Sequence, residues 1–125
     1  MLDGLFSMQG KVCVVTGGSR GLGAFMAQGF LEAGAKRVYI TARKAQACLD
    51  AAKELSQFGD CVALVGDVAT SEGVMDLVKQ LNEREQHIDV LVNNAGTAWG
   101  APFGQFPEKG WDKVMDLNVK SPFFL

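Results

Sequence analysis

The sequence predicts an α/β fold built on a doubly wound parallel sheet. Short apolar, β-branched runs alternate with helical stretches, and the runs are almost unbroken in hydrophobicity, as parallel strands covered on both faces must be. Many of the 15 glycines fall where the chain must turn tightly or approach a ligand. At 125 residues and 48% hydrophobic content the chain suits one domain, residues 1–125, with a buried core.

Strand one is residues 11–16 (KVCVVT), followed by a helix over 22–33 that carries Phe25, Met26, Gly29 and Phe30 at helical spacing and stops at Gly34. Strand two is 37–41 (RVYIT), and an Ala-rich helix over 44–58 ends at Gly59. Strand three, 61–65 (CVALV), leads to a helix over 71–85 with Val74, Leu77, Val78 and Leu81 behind a Ser71 cap. Strand four is 88–92 (IDVLV), with Asp89 read as structural. A last amphipathic helix, 107–125, carries Trp111, Val114, Met115 and Val119. Right-handed crossovers then give the strand order 3-2-1-4. This helix runs into Ser121-Pro-Phe-Phe-Leu125 with nothing to finish it, so the sheet reads as truncated after its fourth strand and part of the following helix. A longer parent is expected.

Composition excludes several classes of function. Twelve basic against 14 acidic residues leave a net charge of −2, which gives no field for a polyanion, so neither nucleic acid nor an anionic membrane is an expected partner. No apolar run reaches the roughly 18 residues of a membrane span, and the first ten residues lack a secretion signal, so a cytoplasmic protein is expected. Cys13, Cys48 and Cys61 are odd in number and widely spaced, and His87 is the only histidine; reduced thiols and no metal site are expected.

The turn Thr16-Gly17-Gly18-Ser19-Arg20-Gly21-Leu22-Gly23 follows a predicted strand and opens a predicted helix. In that context glycines let the backbone approach a pyrophosphate, while free N–H groups and the positive helix end face its charge. The alternative is a turn that only packs helix on strand. A Walker loop is excluded because no Gly-Lys-Ser/Thr follows.

Thr-Gly-x-x-x-Gly-x-Gly here, with Asn93-Asn94-Ala95-Gly96 after the fourth strand, resembles the short-chain dehydrogenase/reductase family, a Rossmann-type fold. Asp67-Val68 and Asn118 in Leu117-Asn118-Val119 also match that family's pattern, so the resemblance covers essentially the whole chain. Within it, residues 93–119 are most similar to bacterial 3-oxoacyl reductases, including those linked to rhamnolipid synthesis.

About 20 positions beyond the turn, where dinucleotide folds place an acid on the adenosine ribose, stand Ala42 and Arg43. A missing carboxylate removes a repulsion against a 2′-phosphate, and a guanidinium can grip that phosphate with paired charge-assisted bonds, which points to NADP. The resemblance makes Arg20 a second basic residue at the same phosphate; the alternative is two solvated arginines. It also implies that Asp67 meets the adenine amino group with Val68 beside it, against a helix-capping role for Asp67. It implies further that Asn94 borders the cofactor ribose while Asn93 braces strands, and that Ala95 and Gly96 leave room for the cofactor. The expected cofactor site is thus Gly17, Gly18, Ser19, Arg20, Gly21, Leu22 and Gly23 with Arg43, Asp67, Val68, Asn94 and Gly96.

The family's acid is a Tyr with a Lys four positions on, aided by a Ser and an Asn; only the Asn, Asn118, has a match, and by resemblance it holds a helix bend and a water. Its alternative is a helix Asn bonding its own backbone. The single tyrosine, Tyr39, lies inside strand two and is followed four positions later by Arg43, so it is not that acid. The expected parent is an NADP(H)-dependent reductase of a small-molecule carbonyl, homo-oligomeric by resemblance, and the 125-residue chain alone is expected to be inactive. Trp99, Phe103 and Phe106 either line an apolar entrance for that substrate or pack against a missing half. Two other readings stand beside this one: a non-catalytic NADP-binding or interaction module, and an adenosylmethionine methyltransferase, against which the absence of an acid at Ala42 argues.

Overall fold

The computed structural model describes residues 2–125. After a short turn of helix, α1 (Leu2–Leu5), the chain alternates β1 (Val12–Thr16), α2 (Gly21–Glu32), β2 (Arg37–Ala42), α3 (Ala45–Leu55), β3 (Cys61–Val65), α4 (Ser71–Asn82) and β4 (Val90–Val92). It ends with α5 (Glu108–Met115), a π-helical turn (Asp116–Lys120) and α6 (Ser121–Phe124). The strands form one parallel sheet in the predicted order β3-β2-β1-β4, with Val14 opposite Tyr39 on one side and Leu91 on the other.

The sheet is covered on both faces because its side chains alternate. Cys13 and Val15 of β1, with Val38 and Ile40 of β2, pack on Ala27 and Leu31 of α2 and Cys48, Ala52 and Leu55 of α3. Val12, Val14 and Tyr39 point the other way, onto Leu64, Val68 and Val74, Leu77 and Leu81 of α4, with Leu117 and Leu125 joining at the margin. Burial holds all three thiols in their neutral form, Cys13 pushed up to about 11 and Cys61 to about 12, and none is bonded to another.

Four expectations about the helices need correction. The buried stripe of α2 is Gly23, Ala27 and Leu31, while Phe25 lies off it and is exposed; at the start of the helix that stripe admits no side chain, since a Cβ on Gly23 would meet the Gly17 carbonyl oxygen. The cap of α4 is Thr70, whose Oγ accepts from the Gly73 N–H at 3.0 Å; Ser71 is already the first helical residue. Asp67 does not cap it either, its Oδ1 accepting instead from the Ala69 N–H at 3.0 Å. In α5 the one buried residue is Gly110, while Trp111, and Val119 in the π turn beyond, are exposed.

At the amino ends of the strands the charges pair. Arg37 reaches Asp60 at 2.6 Å and Glu85 at 2.7 Å, and Glu85 also accepts the hydroxyl of the wholly buried Tyr39 at 2.8 Å. The Tyr39 hydroxyl, then Arg37, hold the Glu85 carboxyl below its usual range. Asp89 accepts the Val12 N–H at 2.8 Å, fixing where β4 meets β1, and that bond lowers its pKa.

Candidate functional site

Parallel strands all point their carboxyl ends one way, and in open sheets ligands bind there, where the connections diverge to opposite faces. Here β1 is flanked by β2, whose helix lies on one face, and by β4, whose following helix lies on the other. Over that point opens a cleft of about 540 Å³.

Its floor is the glycine-rich turn. Gly17 and Gly21 take φ of +64° and +56°, which a residue with a Cβ adopts only under strain. A Cβ at Gly23 would collide with the Gly17 carbonyl oxygen, so α2 can start this close to β1 only with glycine there. Gly18 lies beneath, its N–H bonded to the Thr41 carbonyl at 3.1 Å; it shapes the turn and, unlike the other residues predicted here, does not line the cleft. No side chain caps α2, so its first N–H groups remain open, whereas α4 is closed by Thr70.

The walls hold the other predicted residues. Ser19, Arg20 and Leu22 come from the turn, Ala42, Arg43 and Lys44 from the end of β2, and Gly66, Asp67 and Val68 from the end of β3. Arg20 and Arg43 are exposed and make no ion pair among the described residues. Asp67 is the only carboxylate in the lining. A polyanion with an adenosine end fits this donor set: open amides, two free guanidinium groups and no acid beside Arg43.

Beyond β4 the wall is Asn94, Ala95 and Gly96, with Leu117. Asn94 donates from Nδ2 to the Thr16 carbonyl at 3.0 Å and the Gly17 carbonyl at 3.1 Å, and its own N–H goes to Thr16 Oγ at 3.1 Å. The strand-bracing role expected of Asn93 therefore belongs to Asn94, because Asn94 is the residue turned toward β1. Thr16, unremarked in the sequence beyond its place before the glycines, is the other half of this knot, and its Oγ also takes the Ala95 N–H at 3.0 Å.

Asn118 sits in the π-helical turn, where a backbone bend was expected. It does not bond its own helix. Both ends of its amide engage Thr97, accepting the N–H and donating to the carbonyl, each at 2.9 Å. Trp99, Phe103 and Phe106 do not line the cleft: Trp99 packs on α5, and the two phenylalanines are exposed. Tyr39 lies in the core, away from the cleft. Among the described residues no cluster of metal-ligating side chains occurs, and no helix is long and apolar enough to cross a membrane.

The family model for short chain dehydrogenases matches residues 11–125. A rhamnolipid biosynthesis 3-oxoacyl-[acyl-carrier-protein] reductase of Pseudomonas aeruginosa is 52% identical over 118 residues, 94% of this chain and 46% of that protein. A 2-dehydro-3-deoxy-D-gluconate 5-dehydrogenase of Escherichia coli is 38% identical over 125 residues, all of this chain and 49% of that protein. Among solved structures, the Pseudomonas aeruginosa RhlG/NADP active-site complex matches with a TM-score of 0.91 at 51% identity, covering 95% of this chain and 46% of that one. L-sorbose reductase from Gluconobacter frateurii, complexed with NADPH and L-sorbose, matches at 0.90 and 32% identity, covering 96% and 46%. The chain thus spans about half the length of the curated relatives it matches, and it belongs to the short-chain dehydrogenase family.

Proposed function

We propose that residues 1–125 are the N-terminal, NADP-binding domain of an oxidoreductase that reduces a carbonyl by hydride transfer, with a 3-oxoacyl thioester as the substrate class. The observation that carries this reading is the pair Arg20 and Arg43 at the cleft, with Ala42 where a ribose-binding acid would stand. The similarity to the rhamnolipid reductase supports the substrate class. With it go a small-molecule carbonyl substrate, a cytoplasmic location and homo-oligomeric assembly of the whole protein.

The open N–H groups of the turn and of α2 hold the pyrophosphate, and Arg43 and Arg20 hold the 2′-phosphate. Asp67 and Val68 bound the adenine, and Asn94 and Gly96 the far ribose. Bound in this way, NADPH supplies the hydride. Asn118 acts by position: its amide is spent on Thr97, so it ties the wall of the cleft to the π turn.

A second reading, a nucleotide-binding module without chemistry of its own, is favoured by Tyr39, the chain's only tyrosine, being buried with its hydroxyl given to Glu85. Under either reading the isolated 125-residue chain reduces nothing. Calorimetric titration of the folded chain with NADPH and NADH tests the shared cofactor claim. The expected result is binding at least about tenfold tighter for NADPH; equal affinities, or none, refute it.

A further inference from the structure

We infer that Trp99 is a positioning residue for the β4 side of the cleft: seated on Gly110 and covered by Lys113, its indole fixes the segment that meets the nicotinamide half of the cofactor. This rests on the reading that the cleft takes NADP(H).

Arg43, Asp67 and Val68 stand at the ends of β2 and β3, with Arg20 in the turn after β1, and by their chemistry the β2 and β3 side is the adenosine side. The other half of an extended dinucleotide must then cross β1 toward β4, where the wall is Asn94 to Gly96. That wall has little regular structure behind it, since β4 stops at Val92 and the next helix begins at Glu108. Its position depends on individual tethers. Asn94 is tied to β1, and Thr97 to Asn118. Trp99 is the third tether, and it is apolar.

A Cβ placed on Gly110 would lie 2.8 Å from each of three indole atoms of Trp99, Cγ, Cδ1 and Cδ2, so the ring lies over the bare backbone at that point. Lys113, one turn along the same helix face, holds its Nζ 5.6 Å from the ring centroid, a cation–π distance. Gly110 is the one buried residue of α5, although glycine is the poorest helix former after proline. The seat explains both facts. Past Trp99 the loop turns on a bond from the Gln105 N–H to the Pro102 carbonyl, with Phe103 fully exposed, so the seat precedes the free part of the loop.

The test uses the 125-residue chain with Trp111→Phe, which leaves Trp99 as the only indole. Gly110→Ala is added to fill the seat; alanine favours the helix, so α5 is retained while the ring is displaced. Acrylamide quenching of Trp99 emission reports the displacement. Affinities for NADPH and for adenosine 2′,5′-bisphosphate, which has no nicotinamide half, report the consequence. We expect quenching to rise severalfold, the bisphosphate affinity to stay within about twofold, and the advantage of NADPH over the bisphosphate to fall about tenfold. If the indole is released and that advantage is unchanged, Trp99 only packs and the inference fails. Quenching unaltered by Gly110→Ala means that the seat does not exist, and it fails likewise. If neither ligand binds the chain with only Trp111→Phe, the cofactor reading itself is what has failed, and the inference goes with it.

Discussion

At the amino ends of the strands, charged and polar side chains are spent on one another: Arg37 joins Asp60 to Glu85, Glu85 takes the Tyr39 hydroxyl, and Asp89 takes the Val12 N–H. At the carboxyl ends, Arg20 and Arg43 stand exposed without an ion pair among the described residues, and the amides that open α2 have no cap. Both ends belong to the same strands, a few residues apart in sequence. One closes its hydrogen bonds internally and contributes stability; the other leaves donors free, which is what binding an anion requires. Substitutions at the first end should therefore change unfolding and spare binding, and those at the second the reverse.

Gly23→Ala should blur this division most, since its Cβ meets the Gly17 carbonyl oxygen. Overpacking of this kind costs about 1–3 kcal/mol of stability, and distortion of the turn should abolish NADPH binding. Denaturant unfolding and calorimetry on the same variant check both. Glu85→Ala acts at the first end alone: it strips the buried Tyr39 hydroxyl of its acceptor and Arg37 of one of its two, for a loss of about 1.5–3 kcal/mol in urea unfolding with NADPH affinity unchanged. Its mirror image is Arg43→Ala, which should weaken NADPH by roughly 10- to 150-fold, leave NADH nearly unaffected and leave the unfolding midpoint where it was.

Acid should find the amino end first. Glu85 and Asp89 are both held below their usual pKa in the folded chain, so each adds stability that is present above its unfolded pKa and is lost as pH falls through the depressed folded value. Unfolding midpoints should therefore fall as pH drops below 4.5, the ordinary value for Glu85, and Glu85→Gln should flatten that dependence. The smallest effect separates two neighbours: Thr70→Ala should cost about 1 kcal/mol through loss of the α4 cap, and Ser71→Ala within about 0.5 kcal/mol of nothing.

Much of this was legible in the sequence. The apolar runs located β1, β2 and β3, and the glycine turn, Arg43 and Asp67 marked the cleft because their chemistry is local. What could not be read depends on distances between segments remote in sequence. Hydrophobicity put Phe25 on the inner face of α2, but the residues that face the sheet are Gly23, Ala27 and Leu31, and only the close approach of Gly23 to the turn, invisible in the sequence, sets that phase. Asn93 and Asn94 are alike in sequence, and only the bonds that Asn94 makes to Thr16 and Gly17 in the folded chain select the second. β4 itself is shorter than its apolar run: Asp89, just before it, donates its N–H to the Val12 carbonyl at 2.9 Å but takes the Val12 N–H on its side chain. The seat of Trp99 on Gly110 pairs residues with no shared motif.

Amide hydrogen exchange of the 125-residue chain with and without NADPH tests the central division between the two ends most directly. Exchange should slow most at residues 17–24 and 94–97, and around Arg37, Asp60 and Glu85 by no more than the overall stabilisation that a bound ligand confers. Protection centred on the amino ends, or on the α2 and α3 surface away from the glycine turn, would contradict that division.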